Sequence, residues 1–217
     1  MIAAIVFDFD GVLADSEPLH LSAFQEVLAS LGAALPREEY YADYLGFDDA
    51  GVFRAVAEAR GLTVSTAGIQ ALVAEKARTM ESLMGHVDVL YPGARDCVRR
   101  LASTWPLGIA SGALRHEIEA VLAQHDLSAL FRFIVAAGET AASKPAPDPY
   151  RRAAALHGVD PSECLAIEDS RWGIESAKAA GLSCVAVTHT YSVSELLDAD
   201  AIVGSLAELT PDLVRSL

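Results

Sequence analysis

Hydrophobic spacing changes character twice along this chain. Residues 2–7 form an unbroken apolar run, Ile2-Ala3-Ala4-Ile5-Val6-Phe7, which is too short for a helix and matches a strand buried on both faces of a parallel sheet. From residue 16 the period becomes helical. Leu19, Phe24, Val27, Leu28 and Leu31 share one face; Val52, Phe53, Val56 and Ala59 share a second; Leu72, Val73, Ala77, Met80 and Leu83 or Met84 share a third. Ser16 is the predicted N-cap of the first helix, with Pro18 in its first turn. Beyond Asp88-Val89-Leu90-Tyr91-Pro92-Gly93 the pattern changes again, and short apolar runs alternate with helical stretches. Strands are predicted at 106–110, 133–135, 164–167 and 184–187, and helices near 94–103, 115–124, 149–157 and 173–180.

This order predicts an α/β protein: a Rossmann-like, doubly wound parallel-sheet core built from residues 1–14 and 88–217, interrupted by an all-helical cap at 15–87. Such a cap is expected above the strand ends. The 217 residues are 52% hydrophobic, enough for a sizeable core. A net charge of -14 argues against a nucleic-acid or anionic-membrane surface. Cys97, Cys164 and Cys184 are odd in number and widely spaced, so they read as reduced core residues. The first apolar run stops at Asp8 without a preceding basic region, and no uncharged stretch is long enough to span a bilayer. The expectation is a cytoplasmic protein, and a monomer.

Asp8-Phe9-Asp10-Gly11 follows the first strand. Side chains two apart in a strand share a side, so both carboxylates are expected to leave its carboxyl end together. Like charges that close raise each other's pKa unless a cation intervenes, which predicts a metal, an acid/base pair, or both. Three further segments follow predicted strands: Ser111-Gly112-Ala113, Ser143-Lys144-Pro145 and Glu168-Asp169-Ser170. In an open α/β sheet all four gather at the carboxyl-end crevice.

The set suits phosphoryl transfer. Asp8 is the candidate nucleophile, forming an aspartyl-phosphate, and Asp10 the acid/base that serves the leaving oxygen and then water. Mg²⁺ is expected on Asp8, the Asp10 backbone carbonyl, Asp169 and Glu168. Ser111, with the amides of Gly112 and Ala113 at a helix N-terminus, is expected to cradle the phosphate, and Lys144 to balance its charge. Taken singly, each motif has an ordinary reading: a surface turn, a helix cap, a loop lysine, an acidic helix start. Their joint occurrence at successive strand ends favours the chemical one. Trp172 reads as packing, and His86, His116, His125, His157 and His189 show no ligand spacing.

Asp8-Phe9-Asp10-Gly11-Val12, Ser111, Lys144-Pro145 and Glu168-Asp169-Ser170 resemble, in order and context, the four motifs of the haloacid-dehalogenase-like hydrolases. The helical insertion is similar to the small cap of the β-phosphoglucomutase and phosphoglycolate-phosphatase branch. Asp15-Ser16-Glu17-Pro18-Leu19-His20 resembles the hinge into that cap, and residues 144–150 resemble the third motif. The resemblance implies that His20 steadies the acid/base aspartate. It also makes Lys76, with Arg78, a candidate for the polar end of the substrate; the ordinary alternatives are a partly buried helix histidine and a solvated helix face.

The dehalogenases lack a second acid at the Asp10 position, so its presence points to phosphoesters. Mutases of the branch carry basic residues in the first cap loop, whereas Leu45-Gly46-Phe47-Asp48-Asp49 is acidic and apolar. The resulting expectation is a Mg²⁺-dependent phosphatase acting on a small sugar or polyol phosphate, with a sugar-phosphate mutase as the alternative. A signalling receiver domain uses similar groups but places its acidic pair before the nucleophile and has no helical insertion.

Overall fold

The computed structural model describes residues 1–44, 47–84 and 87–217, the side chain of Met84 excepted. The expectations attached to Leu45, Gly46, His86 and the Met84 side chain lie outside the described residues. The chain begins with β1 (Ala4–Phe7), followed by α1 (Glu17–Ala29), α2 (Arg37–Glu39) with a π-helical turn at Tyr40–Tyr44, α3 (Asp49–Ala59) and α4 (Thr66–Met84). Then come α5 (Ala94–Ala102), β2 (Leu107–Ala110), α6 (Arg115–Gln124), β3 (Phe131–Val135), α7 (Asp148–His157) and β4 (Cys164–Glu168). The chain ends with α8 (Arg171–Ala180), β5 (Ser183–Val187), β6 (Ala201–Val203) and α9 (Pro211–Arg215). Two compact units result, one of Met1–Asp15 with Val89–Leu217 and one of Ser16–Asp88.

The first unit is a six-stranded sheet in the order β3-β2-β1-β4-β5-β6, and every pairing is parallel. All four residues of β1 are fully buried, which explains why its sequence is continuously apolar rather than alternating. Val6 lies opposite Gly108 on one side and Ala166 on the other. The strand order reverses between β1 and β4, so the ligand crevice of such a sheet falls where Asp8 and Asp169 emerge. The segments leaving and re-entering this unit are tied together: Asp15 N–H donates to Val89 O (2.7 Å) and Tyr91 N–H to Leu13 O (2.9 Å). Cys97, Cys164 and Cys184 are buried free thiols.

Differences from the sequence reading have local causes. β6 was not anticipated, because Ala201 and Ile202 are only half-buried edge residues and Asp198 and Asp200 precede them. β3 begins at Phe131 rather than 133, since the exposed Arg132 breaks its apolar run. Helix α8 begins at Arg171, two residues early, and Ser170 Oγ caps it by accepting from Gly173 N–H at 3.1 Å. Ser16 holds the N-cap position of α1, but its hydroxyl makes no capping bond there.

The second unit packs α1 and α3 against α4 around Phe24, Leu28, Leu35, Tyr40, Phe53 and Val56. Phe24 meets Phe53 edge-on at 5.2 Å. Three expected core positions are exposed instead: Leu31 lies past the end of α1, Ala57 rather than Ala59 is buried on α3, and Lys76 takes the buried place expected of Ala77 on α4. A lysine in an apolar stripe needs partners, and Lys76 Nζ has them. It lies 2.9 Å from Asp49 Oδ1 and 2.7 Å from His20 Nδ1, and 4.9 Å above the Phe24 ring. An ammonium can only donate, so His20 Nδ1 accepts and the ring is neutral with its proton on Nε2.

Burial first, and the adjacent Lys76 charge second, lower the His20 pKa to about 3. The folded pKa lies below the 6.5 of an unfolded histidine, so the stabilising contribution is complete above pH 6.5 and is lost as the pH falls toward 3. In a proton NMR titration the His20 ring should stay neutral from pH 8 to 5; a midpoint near 6.5 would contradict the Lys76 contact. In the sheet, Ile5→Ala should lower unfolding stability by about 2–5 kcal/mol in denaturant titrations. A loss below about 1 kcal/mol would mean that β1 is not the centre of the core.

Candidate active site

β1 delivers Asp8 to the switch point, where its Oδ1 accepts from Phe9 N–H at 2.7 Å. The strand stops at Phe7, so strand alternation does not place Asp10. A turn does: Leu13 and Ala14 N–H both return to Phe9 O, and Gly11 N–H to Ala14 O. Gly11 has φ +75°, and a Cβ there would overlap Asp169 Oδ2, so the chain passes this point only as glycine.

Lys144 is the electrostatic hub. Its Nζ lies 3.0 Å from Asp8 Oδ1 and 2.7 Å from Glu168 Oε1. Burial alone would depress this ammonium, but the carboxylates of Asp8 and Glu168 outweigh it and raise the pKa above the usual lysine value. Glu168, fully buried at the end of β4, also accepts at Oε1 from Tyr150 O–H at 2.6 Å. Its Oε2 accepts from Asp169 N–H at 3.2 Å and from Ser170 O–H at 3.4 Å. A Cβ on Gly173 would collide with this carboxylate, so glycine in the first turn of α8 makes room for it.

Asp8, Glu168 and Asp169 each present a carboxylate oxygen, and these oxygens lie within 4.8 Å of one another. Burial foremost, then the charges of Glu168 and Asp8, push the Asp169 carboxyl well above the usual range. Burial likewise raises Glu168, with Lys144 opposing and Asp8 adding to the rise. Three acids against one ammonium form a net anionic cluster of hard oxygen donors, a set that fits a cation such as Mg²⁺. The Asp10 carboxylate is not part of this trio; its expected contribution is through the backbone carbonyl.

Ser111 is buried just beyond β2, its N–H donating to Val135 O at 2.9 Å. Its Oγ accepts from Ala113 N–H at 3.2 Å. Gly112 and Ala113 therefore lie in the loop before α6, which starts at Arg115, and not in the helix N-terminus expected of them. A cavity of about 380 Å³ opens between Ser111, Gly112, Ala137, Thr140, Ser143 and Lys144. The core unit thus brings Asp8, Ser111, Lys144, Glu168 and Asp169 to one end of the sheet, while His20 and Lys76 are paired within the helical unit and Arg78 is exposed there.

Three neighbours of the site have no role in the sequence reading, although Tyr150 falls within the stretch 144–150 that resembles the third motif. Tyr150 sits on the buried face of α7 with Ala153 and Ala154, and a tyrosine in such a stripe signals a hydroxyl in need of a partner. The Thr190 hydroxyl lies on the Asp169 side of the site and opposes the upward shift of that carboxyl. His189 stacks on Tyr91 at 4.0 Å and its Nδ1–H donates to Gly11 O at 3.0 Å. Nothing in the local sequence pattern marks these last two.

Comparison with known proteins agrees with this geometry. The family model described as haloacid dehalogenase-like hydrolase matches residues 5–187. Hexitol phosphatase B of Escherichia coli is 35% identical over 213 residues, covering 96% of this chain and 95% of that protein. Fructose-1-phosphate phosphatase YqaB of Escherichia coli is 32% identical over 186 residues, covering 85% and 96%. The crystal structure of CbbY from Rhodobacter sphaeroides in complex with phosphate superposes with a TM-score of 0.86 at 30% identity, covering 100% of both chains. With its carboxylate trio at the β1/β4 switch point and this match over most of its length, the chain belongs to the haloacid dehalogenase-like hydrolases.

Proposed function

We propose that this enzyme hydrolyses phosphate monoesters of small sugars or sugar alcohols, with Asp8 as the nucleophile and Mg²⁺ as the metal. The observation that carries the reading is the Lys144 ammonium bridging Asp8 and Glu168, beside Asp169. Asp8, Asp169 and Glu168, with the Asp10 carbonyl, would hold the ion. When bound, the ion offsets the repulsion between the Asp8 carboxylate and a phosphate dianion.

The protein's own groups do the rest. The Phe9 amide and Lys144 fix the Asp8 carboxylate, which attacks phosphorus as the ester P–O bond breaks. Asp10 gives its proton to the leaving oxygen, and the product is an aspartyl-phosphate with a free alcohol. Asp10 then takes a proton from water as that water attacks phosphorus, which releases phosphate and restores Asp8. Lys144 and the Ser111 hydroxyl hold the phosphate oxygens throughout.

The substrate class is supported by the relatives named for hexitol phosphate and fructose 1-phosphate. The helical unit supports hydrolysis over isomerisation, because its buried cation is already engaged. Asp49 neutralises Lys76, and Asp48 caps α3 by accepting from Gly51 N–H at 2.6 Å. A second phosphate finds a paired charge there rather than a free one.

A screen of hexose, pentose and hexitol phosphates should show phosphate release that requires Mg²⁺ and is abolished by a chelator. Asp8→Asn should lower kcat by about 10⁴-fold or more. Full activity in Asp8→Asn would move the nucleophile elsewhere. Conversion of β-glucose 1-phosphate to glucose 6-phosphate without free phosphate would favour the mutase.

A further inference from the structure

The geometry points to Tyr150 as a positioning residue that sets how the Lys144 ammonium is divided between Asp8 and Glu168; this rests on the hydrolytic reading above. Tyr150 is fully buried on the inner face of α7, in a cluster with Ala4, Val6, Ala166 and Ile174. Its hydroxyl donates to Glu168 Oε1 at 2.6 Å, the same oxygen that Lys144 Nζ approaches at 2.7 Å. Lys144 also lies 5.0 Å above the Tyr150 ring. One phenol therefore touches both partners of the central ion pair, from a helix packed on the sheet rather than from a loop.

The consequence follows from hydrogen-bond capacity. A carboxylate oxygen has two in-plane lone pairs, and at Glu168 Oε1 the phenol and the ammonium take one each. The phenol draws off part of the negative charge on that oxygen, so Lys144 is not captured by Glu168 and keeps its 3.0 Å contact with Asp8 Oδ1. Without the phenol, the buried oxygen has one donor left, and a buried acceptor short of donors pulls harder on the one it retains. Lys144 would shift toward Glu168 and away from the reacting carboxylate. The Glu168 carboxylate, freed on one side, would also hold less firmly the orientation in which it faces Asp8 and Asp169.

Tyr150→Phe keeps the ring and removes the donor, so it isolates this bond. We expect kcat to fall about tenfold or more, with KM for the ester changed by less than about threefold and thermal unfolding still cooperative. Mn²⁺ affinity, read by electron paramagnetic resonance without substrate, should weaken severalfold. In a Glu168→Gln background the same substitution should change kcat and Mn²⁺ affinity by less than about twofold. A crystal structure of Tyr150→Phe gives a readout independent of the second variant: Lys144 Nζ should lie beyond hydrogen-bond reach of Asp8 Oδ1. Wild-type kcat in Tyr150→Phe, equal losses in both backgrounds, or an unmoved Lys144 would overturn the role. Wild-type protein that binds Mn²⁺ yet releases phosphate from no ester would instead sink the hydrolytic reading, while the Mn²⁺ cycle and the Lys144 position would still decide whether Tyr150 acts through Glu168.

Discussion

Three buried carboxylates facing one ammonium are the constraint on which the rest of this structure depends. Asp8, Glu168 and Asp169 converge within 4.8 Å, and Lys144 bridges Asp8 and Glu168. Such crowding is unfavourable in an apolar interior unless positive charge and hydrogen bonds meet every oxygen. The surrounding residues serve that need. Phe9 N–H meets Asp8, and Tyr150 and the Ser170 segment meet Glu168. The glycines at 11 and 173 leave the space in which Asp169 and Glu168 lie.

The sheet makes this convergence possible. Parallel strands put all their carboxyl ends on one edge, and the reversal of order between β1 and β4 opens a gap there instead of a packed loop. β1 has to be buried on both faces to sit at the centre, which demands a continuous apolar sequence, and the polarity of the chain then changes abruptly at Asp8. The fold and the site are thus written by one transition between hydrophobic and acidic residues. The helical unit solves a smaller version of the same problem, holding Lys76 buried between Asp49 and a neutral His20.

Much of this was legible in the sequence because its signals were local. Apolar runs located five of the six strands, and Asp8, Ser111, Glu168 and Asp169 lie at or directly after strand ends, so those ends predicted which of these side chains would meet; Lys144 enters from the longer segment between β3 and α7. β6 was missed because an edge strand of three residues, two of them only half-buried, offers too short an apolar run. The core faces of the helical unit were misread at single positions, where periodicity could not distinguish Ala57 from Ala59 or foresee a buried Lys76. Strand alternation gave the wrong reason for Asp10, whose position comes from a turn. Tyr150, Thr190 and His189 received no role, since theirs arises from contacts between segments far apart in the chain.

The most direct measurement is a calorimetric titration of Mg²⁺ into the wild-type protein and into Asp169→Asn. If the carboxylate trio is a hard-cation site, the wild type should show saturable binding at one site and the variant should lose it. No binding by the wild type, or equal binding by the variant, would contradict the electrostatic basis proposed for Asp8 chemistry.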